Sequence, residues 1–172
     1  MFKNIKILCG LVLMVPAIVH GEETTKYGIG AVIGSGTKLY APIYYRDWLI
    51  EPTLYSYVQK ANGPGTSTID HEFLELGVGV FKHPYLSDKT YGYYGARVGG
   101  SRWEDNHASS PLTVSNSKGS GYFIAPTVGA EYELTTHFSL GLDLSYDYKK
   151  FTGDIAEINS STETKVIARY FF

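Results

Sequence analysis

The chain has 172 residues, 17 acidic and 15 basic side chains, a formal net charge of −2, 19 glycines and 15 tyrosines. The slight acidity excludes the electrostatic footprint of a nucleic-acid binder. The single cysteine, Cys9, lies in the first 21 residues, so residues 22–172 offer no disulfide, thiolate metal ligand or cysteine nucleophile.

The N-terminus begins with Lys3 and Lys6, followed by an apolar stretch from Ile7 to Val19 that only Gly10 and Pro16 interrupt. Val19-His20-Gly21 then leads into the polar Glu22-Glu23. This is the pattern of a secretory signal peptide, with cleavage expected after Gly21, and the apolar stretch is too short to span a bilayer. Cys9 precedes most of the apolar core, which argues against a lipoprotein anchor. Residues 22–172 then form about one domain. They contain no run of about 18 apolar residues, so no spanning helix is expected.

Period-two alternation recurs along the rest of the chain and predicts strands over roughly 25–34, 37–46, 48–60, 71–84, 89–103, 120–134, 137–150 and 161–172. Each is near or above the ~9–11 residues of a tilted membrane strand. The fourth places Leu74, Leu76, Val78 and Val80 outside, with Glu75, Gly77 and Gly79 inside. The fifth places Tyr94, Ala96 and Val98 outside, with Arg97 and Gly99 inside. In the sixth, Ile124, Val128, Ala130, Tyr132 and Leu134 oppose Thr127, Gly129, Glu131 and Glu133. In the seventh, Phe138, Leu140, Leu142, Leu144, Tyr146 and Tyr148 oppose Ser139, Gly141, Asp143, Ser145 and Asp147. In the last, Val166, Ala168, Tyr170 and Phe172 oppose Lys165 and Arg169.

The connections alternate in length. Ser35-Gly36, about 61–70, about 104–119 and about 151–160 are expected as extracellular loops; Asp47, about 85–88 and Thr135-Thr136 as periplasmic turns. Pro42, Pro52 and Pro126 fall within strands and each removes a ladder donor, so bulges or register changes are expected there. Tyr27, Tyr45, Trp48, Tyr85 and Phe172 are placed in a periplasmic aromatic girdle, and Tyr57, Trp103, Tyr122 and Tyr148 in an outer one. The inward set, Arg46, Glu51, Glu75, Arg97, Glu131, Asp143, Asp147, Lys165 and Arg169, carries both signs of charge. Buried charges persist when paired, which predicts a cross-lumen network of Arg97 or Arg169 with Glu131 and Asp143.

The ending Arg169-Tyr170-Phe171-Phe172, with the strand count and loop alternation, resembles the small eight-stranded outer-membrane family of OmpA- and OmpX-type transmembrane domains. The stretch Gly129 to Leu140 is also similar to the penultimate hairpin of MipA/OmpV-type proteins. The resemblance implies a structural or surface-interaction role without catalysis. It also implies contact with outer-membrane lipids and lipopolysaccharide, recognition of the closing strand by the barrel-assembly machinery, and extracellular or envelope protein partners at the loops. His137-Phe138-Ser139 invites comparison with PagL-type lipid A deacylases, whose Ser and His sit two apart on one strand face. Against this, the pair lies at a periplasmic turn on the face shared with Asp143 and Asp147, and Glu157 sits at the other end of the strand. Trp103-Glu104-Asp105-Asn106-His107 could bind a cation, but the segment reads foremost as a solvated loop, as do Asp154 and Glu157. His71 and His83 suggest nothing specific.

The sequence therefore predicts an all-β, eight-stranded antiparallel transmembrane β-barrel of the bacterial outer membrane. Its interior is plugged, its role is non-enzymatic, and no catalytic, cofactor-binding or metal-ligating residue is assigned. A lipid A- or phospholipid-modifying enzyme and a narrow channel are the alternatives.

Overall fold

A computed structural model describes residues 25–33, 38–62, 68–110, 113–154 and 156–172, without side chains at 61, 62, 68, 69, 107–110, 113 and 114. The expected signal peptide, the Ser35-Gly36 connection and the side chain of His107 lie outside the described residues.

The described strands are β1 (Lys26–Ile33), β2 (Lys38–Tyr40), β3 (Ile43–Tyr45), β4 (Trp48–Asn62), β5 (Thr68–Lys82), β6 (Tyr85–Ser87), β7 (Thr90–Ser110), β8 (Thr113–Thr135), β9 (Phe138–Gly153) and β10 (Glu157–Phe171). β2 and β3 are two halves of one stave, and β6 is a short return that pairs with the start of β7. The eight staves are antiparallel and close when β1 pairs with β10, from Gly28↔Phe171 to Ile33↔Val166. Pairing of β1 with β10 joins the two end strands of the sheet over these residues, where an open sheet would leave two edges unpaired in lipid.

Alternation is what makes the barrel membrane-compatible. On β8 the outward residues from Tyr122 to Leu134 are all apolar, and Ser120 and Lys118 follow. Twelve residue steps at a rise of about 3.3 Å and a tilt of about 45° give about 28 Å along the normal, close to the ~25 Å apolar band of such barrels. Val128, Leu142, Tyr146 and Val98 are about half exposed on this belt, although they are large and apolar. Burial of such a surface requires lipid. Among the described residues no helix is long and apolar enough to cross a membrane; the strands do the crossing.

The prolines do not shift the register. The ladder lapses at Ala41 and Pro42, yet β2 and β3 keep one register against β4 (Tyr40↔Thr53, Ile43↔Ile50) and against β1 (Gly30↔Tyr40, Tyr27↔Ile43). Pro126 likewise leaves a gap toward β9 between Ile124↔Tyr148 and Thr127↔Ser145 without a slip. Proline loses its donor but keeps its acceptor: the carbonyls of Pro42 and Pro52 accept from the Gly28 and Ala41 N–H groups at 3.0 and 2.9 Å. The register shifts occur instead at Tyr85/Ser87, Ala108/Ser110 and Glu133/Thr135, at strand ends.

Two further expectations are corrected. Arg46 is not in the lumen; it is exposed, at φ 55° in the turn between β3 and β4, with its guanidinium over the Tyr45 ring. The regions 104–119 and 151–160 are largely strand, since β7 and β8 pair in register from Thr90↔Tyr132 to Ala108↔Val114. Ser115, Asn116, Lys118 and Ser120 are exposed here, so polar residues compose the described outer part of this ribbon.

Candidate functional site

The lumen is filled in layers. At its centre Glu51 holds two arginines: Arg97 Nη2 donates to Oε1 at 2.8 Å and Arg169 Nη2 to Oε2 at 2.7 Å. Arg97 also reaches Asp143 at 2.8 Å, and Arg169 reaches Glu131 at 3.1 Å. The predicted cross-lumen network is therefore present, with Glu51 as the bridge that the sequence reading did not place. All five side chains are buried. Rings fill the space around them, with Arg97 over Phe81 at 4.9 Å and Arg169 over Tyr93 at 5.4 Å. Gly129 makes room for Tyr93, because a Cβ there would lie 2.3 Å from its ring.

Toward the periplasmic end, Glu131 also accepts from Tyr44 and from the Ser139 hydroxyl. His83 lies 3.6 Å from the same carboxylate and stacks on Tyr91 at 4.8 Å, so it closes the bottom of the plug. This settles the geometry of the His137–Ser139 pair. Ser139 is spent on Glu131 inside the lumen, whereas the His137 ring bonds the Phe171 carbonyl at 3.1 Å and stacks on Tyr170 outside. The wall of the barrel separates the two, and they form no nucleophile–base dyad.

The extracellular mouth is different. Above the plug, Glu75 is held between Lys38 at 2.9 Å and Lys149 at 3.0 Å, and both ammonium groups lie near the Phe123 ring. This layer is the floor of a cavity of about 320 Å³ that opens outward. Two rungs of the ladder build its walls. One runs Lys38–Tyr55–Glu75–Ser101–Gly121–Phe151–Glu157, and the next runs Tyr57–Phe73–Trp103–Gly119. All but Lys38 are odd-numbered positions on their strands, hence on the lumen side; Lys38, on the stave interrupted at Ala41 and Pro42, reaches the same layer through Glu75. Tyr57 and Trp103 therefore do not belong to the outer girdle; Trp103 is only 7 % exposed. Exposed Tyr122 and half-buried Tyr148 do face outward, as do Tyr27, Tyr45, Trp48, Tyr85 and Phe172 at the other rim.

The rings of Tyr55, Tyr57 and Phe73 lie within 5.8–6.1 Å of one another, and Tyr57 is 5.0 Å from His71. Gly119 is what lets Trp103 lie flat across β8, since a Cβ there would meet the indole at 2.6 Å. His71 bonds Asp105 directly across β5 and β7. Glu104 accepts from Asn116, and Asp154 accepts from the Lys118 N–H at 2.9 Å. Glu104, Asp105 and Asp154, expected on solvated loops, are thus cross-strand partners, whereas Glu157 is exposed; among the described residues no three metal-ligating side chains cluster. Parity within the expected strands already puts Tyr55, Tyr57, Phe73 and Trp103 inside; only Asp105, Phe151 and Glu157 fall in segments expected as loops.

Similar folds are known. The major outer membrane protein of Thermus thermophilus aligns over 87 % of this chain and 100 % of its own, at TM-score 0.59 and 14 % identity. The chain has the fold of the small outer-membrane barrels. Ail of Yersinia pestis, solved with the heparin analogue sucrose octasulfate, aligns over 86 % of this chain and 95 % of its own at 0.52 and 14 %. Neisserial surface protein A aligns over 86 % and 94 % at 0.51 and 17 %. No protein-family profile matches the sequence, and no curated protein matches it by sequence. The outer-membrane barrel fold is thus shared by chains only 14–17 % identical to this one.

Proposed function

We propose that this barrel is a non-enzymatic outer-membrane protein whose work is surface interaction, done by the part that stands above the membrane. The observation that carries this is the length of β7 and β8, which continue to Ser110 and from Thr113. The apolar belt ends near Tyr122, so a paired ribbon projects beyond it. The buried ion network that crosses the lumen argues against a path for solutes, which favours the exterior and the mouth as working surfaces. Outward Arg102, Lys118 and Lys150 lie just above the belt, where they suit lipopolysaccharide phosphates. The solved Ail complex with a sulfated sugar supports surface recognition in a barrel of this shape. Residues 1–21 are the export signal in this reading, and β10 is the strand offered to the barrel-assembly machinery.

The test removes the ribbon tip and keeps the barrel. Residues 106–116 are excised, and Asp105, which pairs with Ser117, is joined to it by a two-residue turn. Cells carrying this protein at equal surface level lose adhesion to host cells and to one another relative to the intact protein. Equal adhesion would overturn the reading. Mass spectrometry of lipid A from cells with and without the protein addresses the enzymatic rival, which predicts an altered acyl pattern; we expect none.

A further inference from the structure

The geometry points to the aromatic mouth as a binding site for a neutral sugar, one or two rings of a glycan. This deepens the surface-interaction reading and rests on it. The cavity of about 320 Å³ lies at the small end of the ~300–1,000 Å³ range of ligand sites. Its walls carry Tyr55, Tyr57, Phe73, Trp103 and Phe151, flat apolar faces of the kind that pack on the C–H face of a pyranose. Between them stand donors and acceptors of both signs, Lys149 and the His71–Asp105 pair, with Glu157 at the rim.

The charges decide against an ionic ligand. Lys149 is engaged with Glu75, and Asp105 with His71. An organic cation would enter beside the Lys149 ammonium, and a polyanion beside Glu75, Asp105 and Glu157. A ligand with hydroxyls and no formal charge draws hydrogen bonds from these pairs without breaking them. Their buried or half-buried positions also make the hydroxyl pattern selective, since an unmatched polar group costs affinity.

Access exists from one side. β1 and β2 are joined by four residues, and the β1–β10 register continued upward would bring Ser161 opposite residue 38, which already belongs to β2. The edge of β10 from Glu157 to Ser161 pairs with no described strand on that side. A sugar can reach the mouth there from the core of lipopolysaccharide in the same leaflet, or from above as a free or host glycan.

The experiment uses the full mature chain in lipid nanodiscs on a Trp48→Phe background, so that Trp103, the other of two tryptophans, reports on the site. Maltose, lactose and N,N′-diacetylchitobiose are titrated separately. The nanodiscs contain either lipid A or lipopolysaccharide bearing its core sugars. We expect a saturable change in Trp103 emission with at least one disaccharide, which identifies a soluble glycan, or between core-bearing and core-free lipid, which identifies the membrane's own. Tyr57→Ala and Phe151→Ala weaken the response at least about tenfold; Tyr122→Ala, on the outer face, does not. A gel mobility shift confirms that each variant is folded. No response to any disaccharide up to about 100 mM, with no difference between the two lipids, overturns the proposal. So does a stronger response to choline or to sucrose octasulfate. Failure here leaves the adhesion result untouched, because the excision at 106–116 spares the mouth.

Discussion

Replacing Glu51 by glutamine asks whether the lumen is a dry, interlocked plug. Glu51 is fully buried. One oxygen accepts from Arg97 Nη2 and Nε at 2.8 and 3.2 Å, and the other from Arg169 Nη2 and Nε at 2.7 and 3.2 Å. Glutamine fits the same space but accepts at one oxygen only. Its amide nitrogen then faces a guanidinium that can only donate, so one arginine loses both bonds to residue 51 and keeps only its second carboxylate, Asp143 for Arg97 or Glu131 for Arg169. At about 1.5–3 kcal/mol for each hydrogen bond to a charged group, the loss of two is about 3–6 kcal/mol, which overlaps the cost of breaking a buried ion pair. Urea unfolding in lipid bilayers, followed by tryptophan emission and by gel mobility, reads this directly. A loss below about 1 kcal/mol would refute the reasoning, because water would then be serving the arginine and the lumen would be wet.

Three other outcomes follow from the same geometry. Leu142→Arg puts a charge on the mid-belt outer face, where Leu142 is 55 % exposed; it lowers stability in bilayers by about 2–4 kcal/mol, and an unchanged value would mean that this face does not meet lipid. In the periplasmic turn, the hydrogen bond from Lys82 holds the Asp47 carboxyl below its usual pKa. A lowered folded-state pKa contributes stability above the unfolded value and loses it as pH falls through the folded one, so Lys82→Met should raise the Asp47 midpoint in an NMR titration and remove that acid-side loss. Planar bilayers containing the purified protein should show no open-channel steps; steady conductance steps would contradict the continuous Asp143–Arg97–Glu51–Arg169–Glu131 plug.

Much of this was legible from parity alone. Once Leu142 faces lipid, Asp143 must face the lumen, and strand pairing carries that assignment around the barrel to Arg97 and Arg169. Parity says nothing of height, so the sequence reading placed the acids and arginines together without placing Glu51 between them. The extracellular half was misread because its composition is that of a loop. Residues 104–118 have no apolar face to announce a strand, and only the cross-strand partners His71–Asp105 and Asn116–Glu104 show that the ladder continues. Tyr57 and Trp103 were placed in the outer girdle by height, although their odd numbers place them inside. Arg46 was counted as a strand residue because its left-handed turn geometry has no signature without a glycine or asparagine.

The most direct test of the account is cysteine labelling in intact cells, for which residues 22–172 need no background mutation because they contain no cysteine. Single cysteines replace Ser115 on the projecting ribbon, Leu142 on the belt and Asp88 in the turn before β7. A membrane-impermeant maleimide should label Ser115→Cys on intact cells, Asp88→Cys only after the outer membrane is permeabilised, and Leu142→Cys in neither case until the protein is unfolded. Labelling of Leu142→Cys in the folded protein, or of Asp88→Cys on intact cells, would contradict a barrel that spans the outer membrane with its ribbon outside.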